Sequence, residues 1–189
     1  MGIEKNIFSQ PYFKKLVMKK LKLLLSQSPT WKFSKNKTTL TSNDEMIVEL
    51  KKVKHSKATF ELDDKEYVIK NEGFWNPKTL IENNGKQILV LKRHFLGMKG
   101  EIEFENGKKY LYKIKNSPLI KLTFLTENNK EILYYKLDGN LKPKTIISIT
   151  DLTINEKELL LLIILGCHSF KGIIKENDDA DFITIVAGA

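Results

Sequence analysis

Glu156-Lys157-Glu158-Leu159-Leu160-Leu161-Leu162-Ile163-Ile164-Leu165-Gly166 is the stretch whose reading decides the fold. Leu159, Leu160, Leu161, Leu162, Ile163, Ile164 and Leu165 leave no polar face at helical spacing, and a helix apolar on every side must be surrounded by protein or by lipid. Spanning a bilayer takes about 20 apolar residues. This run falls short even through Cys167, because His168 and Lys171 interrupt it. The reading is therefore a central helix over about residues 155–168, enclosed by a sheet. Asn155 caps it, Glu158 at the third helical position completes a capping-box-like start, and Gly166 or His168 ends it.

Upstream, between Trp31 and Ile149, the period changes to two and about ten short strands are punctuated by turn chemistry. Met46 to Leu50 follows the polar turn at Ser42 to Glu45. Ala58 to Leu62 pairs with Tyr67 to Ile69 across Asp63-Asp64-Lys65. Asn83-Asn84-Gly85 and Asn106-Gly107 supply residues that tolerate positive φ, as tight hairpins require. A two-fold repeat lies inside this region. Glu66 to Asn71, followed by Glu82 to Leu89, resembles Lys109 to Ile114, followed by Glu127 to Leu133, at an offset close to 44 residues. After the apolar helix, Gly172-Ile173-Ile174 reads as one more strand, Glu176 to Asp181 as a solvated acidic loop, and Phe182 to Val186 as a last short strand or docked tail. The fold class is mainly β (α+β): an antiparallel barrel or closed sandwich of about 10–12 strands around the helix, spanning residues 30–189.

Residues 1–29 read as a separate element. Ser9 caps and Pro11 opens a helix in which Phe13, Leu16, Val17, Leu21, Leu24 and Leu25 recur on one face. Lys14, Lys15, Lys19, Lys20 and Lys22 lie mostly between them, and Ser26 to Pro29 stops the helix. The whole net charge of +9 sits in the first sixty residues, which carry thirteen Lys against four Asp or Glu; the remainder carries nineteen of each sign. A basic segment on a neutral body suits an anionic partner. The single Cys167 excludes an internal disulfide and fits a reducing compartment. Met1 to Pro11 lacks the apolar core of an export signal, so the expected location is cytoplasmic, peripheral on the inner membrane face.

Many short strands, the strand repeat and a C-terminal helix of Leu and Ile together resemble the tubby C-terminal-like superfamily, which includes LURP-one-related proteins and phospholipid scramblases. The resemblance rests on Leu159 to Leu165 with Cys167-His168-Ser169-Phe170, on the units Tyr67 to Leu91 and Tyr110 to Leu137, and on Gly73-Phe74-Trp75. It covers roughly residues 31 to 175 and implies an antiparallel barrel closed around one helix, with lipid contact. No Lys or Arg matches the family's phosphoinositide cleft residue by residue. The cysteine cluster and the acidic segment ahead of the helix in scramblase-like members are missing.

Catalytic chemistry finds no support. His55, His94 and His168 are too scattered to propose a metal site, Cys167 and His168 are adjacent and so point apart on a helix, and no phosphate loop, GxSxG or HExxH occurs. No cofactor is expected. The functional reading is a non-catalytic binding module that meets an anionic membrane surface through Lys14, Lys15, Lys19, Lys20 and Lys22. Alternatives are nucleic-acid binding by the basic first third, with Trp31 and Phe33 as stacking residues among Lys32, Lys35 and Lys37; a protein-interaction scaffold; and an enzyme or ligand carrier with its pocket near the barrel mouth, lined by Trp75, His94 and Arg93.

Overall fold

The computed structural model describes residues 29–34, 36–42, 44–54, 57–73, 77–94, 97–138, 144–177 and 185–187. The helix expected over 9–25, with its five lysines, lies outside the described residues. So do Phe74, Trp75 and the acidic residues 178–181.

Twelve strands follow one another as an antiparallel meander, each hydrogen-bonded to its neighbours in sequence: β1 (Thr30–Phe33), β2 (Lys37–Ser42), β3 (Glu45–Lys54), β4 (Lys57–Leu62), β5 (Lys65–Glu72), β6 (Lys78–Asn83), β7 (Lys86–Arg93), β8 (Lys99–Phe104), β9 (Lys109–Lys115), β10 (Lys121–Thr126), β11 (Glu131–Asp138) and β12 (Lys144–Ile149). A helix, α1 (Glu156–Asn177), comes next, and β13 (Ile185–Ala187) then adds in parallel beside β12. Cα atoms of β13 also come within 8 Å of those of β1, although no ladder joins these two strands. Hairpin register follows the sequence reading: Phe60 stands opposite Tyr67 across the Asp63-Asp64 turn, and both aspartates adopt positive φ.

Strand β2 shows how such elements form. In β2, Thr38, Leu40 and Ser42 are buried while the residues between them are not, the alternation of a sheet with one covered face. What covers that face is α1. Leu159 to Leu165 are each at most 1% exposed, so the helix is buried around its whole circumference. Asn155 caps it as expected, its Oδ1 accepting from the amides of Lys157 (3.0 Å) and Glu158 (3.3 Å). The capping-box expectation for Glu158 is corrected, because its carboxylate accepts instead from Asn106 (3.3 Å), Lys108 (2.7 Å) and the Tyr110 hydroxyl (2.7 Å) on the β8–β9 hairpin. Burial opposes ionisation of Glu158, yet the hydrogen bonds from Lys108 and Tyr110 outweigh it and hold the carboxyl below its ordinary range.

Two expectations at the far end are also corrected. The helix does not stop near residue 168 but runs to Asn177, and Gly172 and Ile173 are helical rather than a strand. Gly166 is not a terminator: a Cβ there would lie 2.2 Å from Tyr135 Cε2 and 3.0 Å from Phe124 Cε2, so glycine makes room for two rings. The Tyr135 hydroxyl donates to the Ile163 carbonyl from the same place. Polar His168 and Lys171 continue the helix because they emerge at its partly exposed end. Among the described residues no helix is long and apolar enough to cross a membrane.

The repeat is three-fold rather than two-fold. A β-bulge interrupts β2–β3, β6–β7 and β10–β11, four strands apart, and a further irregularity lies at Val53 in β3–β4. Each bulge leaves one isoleucine unpaired, Ile47, Ile88 or Ile132, directly before the residue that faces Leu40, Ile81 or Phe124. Bulges bend a strand pair and increase its twist, so the sheet curves at three equivalent places. In the first copy Trp31 faces Leu40, where Ile69 faces Ile81 and Tyr112 faces Phe124 in the other two.

Gly166→Ala should destabilise the fold by about 1–3 kcal/mol through overpacking, against the gain of up to about 1 kcal/mol that alanine ordinarily brings to a helix. Gly172→Ala, which meets nothing within 4 Å, should be neutral or stabilising. Chemical denaturation of both variants checks the pair. Asp151, held down to about 2 by Lys130 and by the Thr153 hydroxyl and amide, stabilises the fold above the ordinary carboxylate range; that contribution disappears as pH falls from about 4 to about 2. Asp151→Asn should flatten this limb of stability against pH.

Candidate functional site: a lysine-bearing edge

Successive turns of an antiparallel meander fall on alternate edges of the sheet. The turns that follow β2, β4, β6, β8 and β10 share one edge, and α1 starts there, since Glu158 binds the β8–β9 hairpin. The remaining turns share the other edge. There α1 approaches its end, Lys171 Nζ lying 3.4 Å from Thr38 Oγ1 near the start of β2.

Lysines occur on both edges, with β5, β7 and β9 opening on Lys65, Lys86 and Lys109 at the first, but the two edges place them differently. On the first, Asp44, Asp63, Asp64, Asn84 and Asn129 hold positive φ, a conformation that Asp and Asn tolerate, so turn chemistry accounts for much of its acidity. On the second, all six even-numbered strands open with lysine: Lys37, Lys57, Lys78, Lys99, Lys121 and Lys144. Turn geometry asks for none of them. Lys37, Lys57, Lys78, Lys99 and Lys121 point away from α1, because the next residues, Thr38, Ala58, Thr79, Gly100 and Leu122, are buried beneath the sheet.

Register makes the arrangement stranger still. Lys37 stands opposite Lys51, Lys57 opposite Lys70, Lys78 opposite Lys92, Lys99 opposite Lys113, and Lys121 opposite Lys136. Like charges directly across a strand pair destabilise a sheet. In four of these pairs the conflict is eased on one side only. Lys37 binds Glu49 at 2.8 Å, Lys70 binds Glu82 at 3.0 Å, Lys92 binds Glu103 at 2.8 Å, and Lys121 binds Glu131 at 3.0 Å. Hydrogen bonds to the carboxylates raise the pKa of Lys70 and Lys92 and lower that of Glu49 and Glu103. In the fifth pair Lys113 donates to neutral Asn129 Oδ1 at 2.7 Å. Among the described residues no carboxylate lies within ion-pair distance of Lys51, Lys57, Lys78, Lys99 or Lys136. At least one uncompensated ammonium per opposed pair is thus carried along the edge, with β4, β6 and β8 spacing theirs about 10 Å apart.

The structure redistributes the residues read from sequence. Trp31 is 1% exposed in the core and offers no stacking surface, which corrects its reading as a base-stacking residue. His94 points to solvent, 4.0 Å from Glu101. Arg93 instead turns towards the helix and donates to Thr79 Oγ1 at 3.0 Å. Burial pushes the Cys167 thiol up, out of the range of a nucleophile at neutral pH. Among the described residues no three His, Cys, Asp or Glu side chains come together as a metal site would need. Comparison with protein-family models, with curated proteins and with solved structures finds no match.

Lys78→Thr and Lys99→Thr should raise the melting temperature at low ionic strength, since each removes one member of an opposed pair. The gain should shrink as salt is added. Differential scanning calorimetry at two salt concentrations checks this; a loss of stability in both variants would mean that the lysines are structural.

Proposed function

We propose that this chain is a non-catalytic binding module for an anionic surface, that the surface is the anionic lipid of a membrane's cytoplasmic face, and that the lysine-bearing edge makes the contact. The observation that carries this reading is the set of five uncompensated lysines, Lys51, Lys57, Lys78, Lys99 and Lys136, held on one edge, each opposite another lysine. Natural sequences break local rules of this kind chiefly where function requires it. Juxtaposed lysines near an anionic leaflet gain energy from its negative surface potential, and ordered strands keep them close without a conformational cost on binding. The basic helix read over Ser9 to Leu25, with Lys14, Lys15, Lys19, Lys20 and Lys22, adds a second cationic element to the same chain.

The finer fold reading belongs with this proposal: a closed barrel of the tubby C-terminal-like kind, in which the curved sheet wraps α1 and the gap between β1 and β13 is narrow. Burial of Leu159 to Leu165 on every side supports it, as does the approach of β13 to β1. In such a closed form the lysines make a ring around one mouth, a shape suited to a flat anionic surface.

Flotation of the full-length protein with vesicles tests the reading. Vesicles of phosphatidylcholine with phosphatidylserine should carry the protein up at low salt, and pure phosphatidylcholine vesicles should not. Replacing Lys51, Lys57, Lys78 and Lys99 together with Gln should abolish flotation. If only replacement of Lys14, Lys15, Lys19 and Lys20 abolishes it, the helix is the anchor and the edge is not. Absence of flotation, with salt-sensitive binding to an oligonucleotide, would transfer the lysines to a nucleic-acid role.

A further inference from the structure

The inner face of the lysine-bearing edge carries a different arrangement. Arg93 shares the inward register of Leu89 and Leu91, both 0% exposed. Its Nη2 donates to Thr79 Oγ1 at 3.0 Å, and Thr79, itself 0% exposed, donates to Asn71 Oδ1 at 2.8 Å. Directly opposite Arg93 is Gly100, where an added Cβ would lie 2.5 Å from the Lys92 carbonyl oxygen, so no larger residue fits there. The end of α1 brings His168 and Lys171 to the same mouth, where the positive charges of Arg93 and Lys171 both act on the imidazole.

Among the described residues the Arg93 guanidinium has one neutral hydroxyl as its acceptor and no carboxylate within ion-pair distance. Glu72 and Glu101 are in the outward register of Lys70 and Lys92 and face the other way. Asp178, Asp179 and Asp181 lie outside the described residues. An arginine's planar fork with most of its donors uncommitted, flanked by an amide and an imidazole, has the donor set that a phosphate or phosphomonoester accepts, while the Thr79 hydroxyl, whose proton goes to Asn71, holds the guanidinium in place.

We propose that the inner mouth between Arg93, His168, Asn71 and Thr79 is a binding site for a single phosphate-bearing anion. It differs from the outer lysines in kind: one enclosed anion held by directed donors, rather than a surface met by diffuse charge. It stands whether or not those lysines meet a membrane. His168 reports on it. Burial first, then the charges of Arg93 and Lys171, lower this imidazole to about 4, so it is neutral at physiological pH. An anion seated against it stabilises the imidazolium and must raise that value.

The experiment is nuclear magnetic resonance of the histidine rings in the full-length chain. Inorganic phosphate is titrated in at constant ionic strength set with sodium chloride. The expected result is a saturable shift of the His168 ring signals and an upward move of its titration midpoint, while exposed His94 stays unchanged. Arg93→Gln should weaken the response about tenfold or more, the loss expected when a hydrogen bond to a charged group is removed; Arg93→Lys should keep part of it. If Arg93→Gln does not fold by circular dichroism, Arg93→Lys is read alone, and phosphate binding weakened without loss of folding supports the site. Vesicles containing phosphatidic acid separate the sources: a His168 shift with vesicles but not with inorganic phosphate assigns a lipid headgroup, and the reverse assigns a free anion. No saturable shift with either, or a response identical in the Arg93 variants, overturns the proposal. Flotation, which reads the outer lysines, is independent of this outcome.

Discussion

A helix that is apolar around its whole circumference cannot be placed at a surface, and the rest of the molecule follows from that constraint. Leu159 to Leu165 need apolar partners in every direction, and a two-layer arrangement would leave one side of the helix in water. A long antiparallel meander meets the need because every strand offers one face. The sheet must also curve, which the three bulges at Ile47, Ile88 and Ile132 serve. Fit is tightest near β10 and β11, where Gly166 gives way to Tyr135 and Phe124.

Enclosing the helix also decides where function can reside. With the inner face filled, little room remains along the axis for a ligand, and the outer face and the two edges are what a partner can reach. The edges differ in kind. One is closed by tight turns that select Asp, Asn and Gly for their backbone conformation. The other is joined by connections with fewer such demands, and there lysines stand opposite lysines. Stability alone would have separated these charges, and the carboxylates near the middle of the sheet compensate only one member of a pair.

Features written in local chemistry were legible from sequence: the apolar run, the Asn155 cap, the Asp63-Asp64 turn and the alternating strands. The end of the helix was not, because Gly166 followed by polar residues looks like a stop, and only the ring of Tyr135, distant in sequence, makes it a packing residue. The lysine edge was hidden for another reason. Residues 61 to 189 carry equal numbers of acidic and basic side chains, and a composition count cannot see that strand pairing sets lysines opposite lysines at one end. Lys57, Lys78, Lys99 and Lys121 recur every 21 or 22 residues, a signal readable once strand starts are known. Arg93 was noticed, but it turns inward to Thr79 while its neighbour His94 points to solvent.

The central helix follows all twelve antiparallel strands in the chain. Synthesis is vectorial, at about 5–20 residues per second, so the strands leave the ribosome before the segment that covers their inner face exists. For several seconds Trp31, Tyr67, Leu89 and Tyr112 have no helix to pack on. The nascent sheet is therefore a half-finished vessel whose lining is exposed until the last piece arrives. Final consolidation waits for the helix, and a chain cut short before Leu159 would present the whole lining as an aggregation-prone surface.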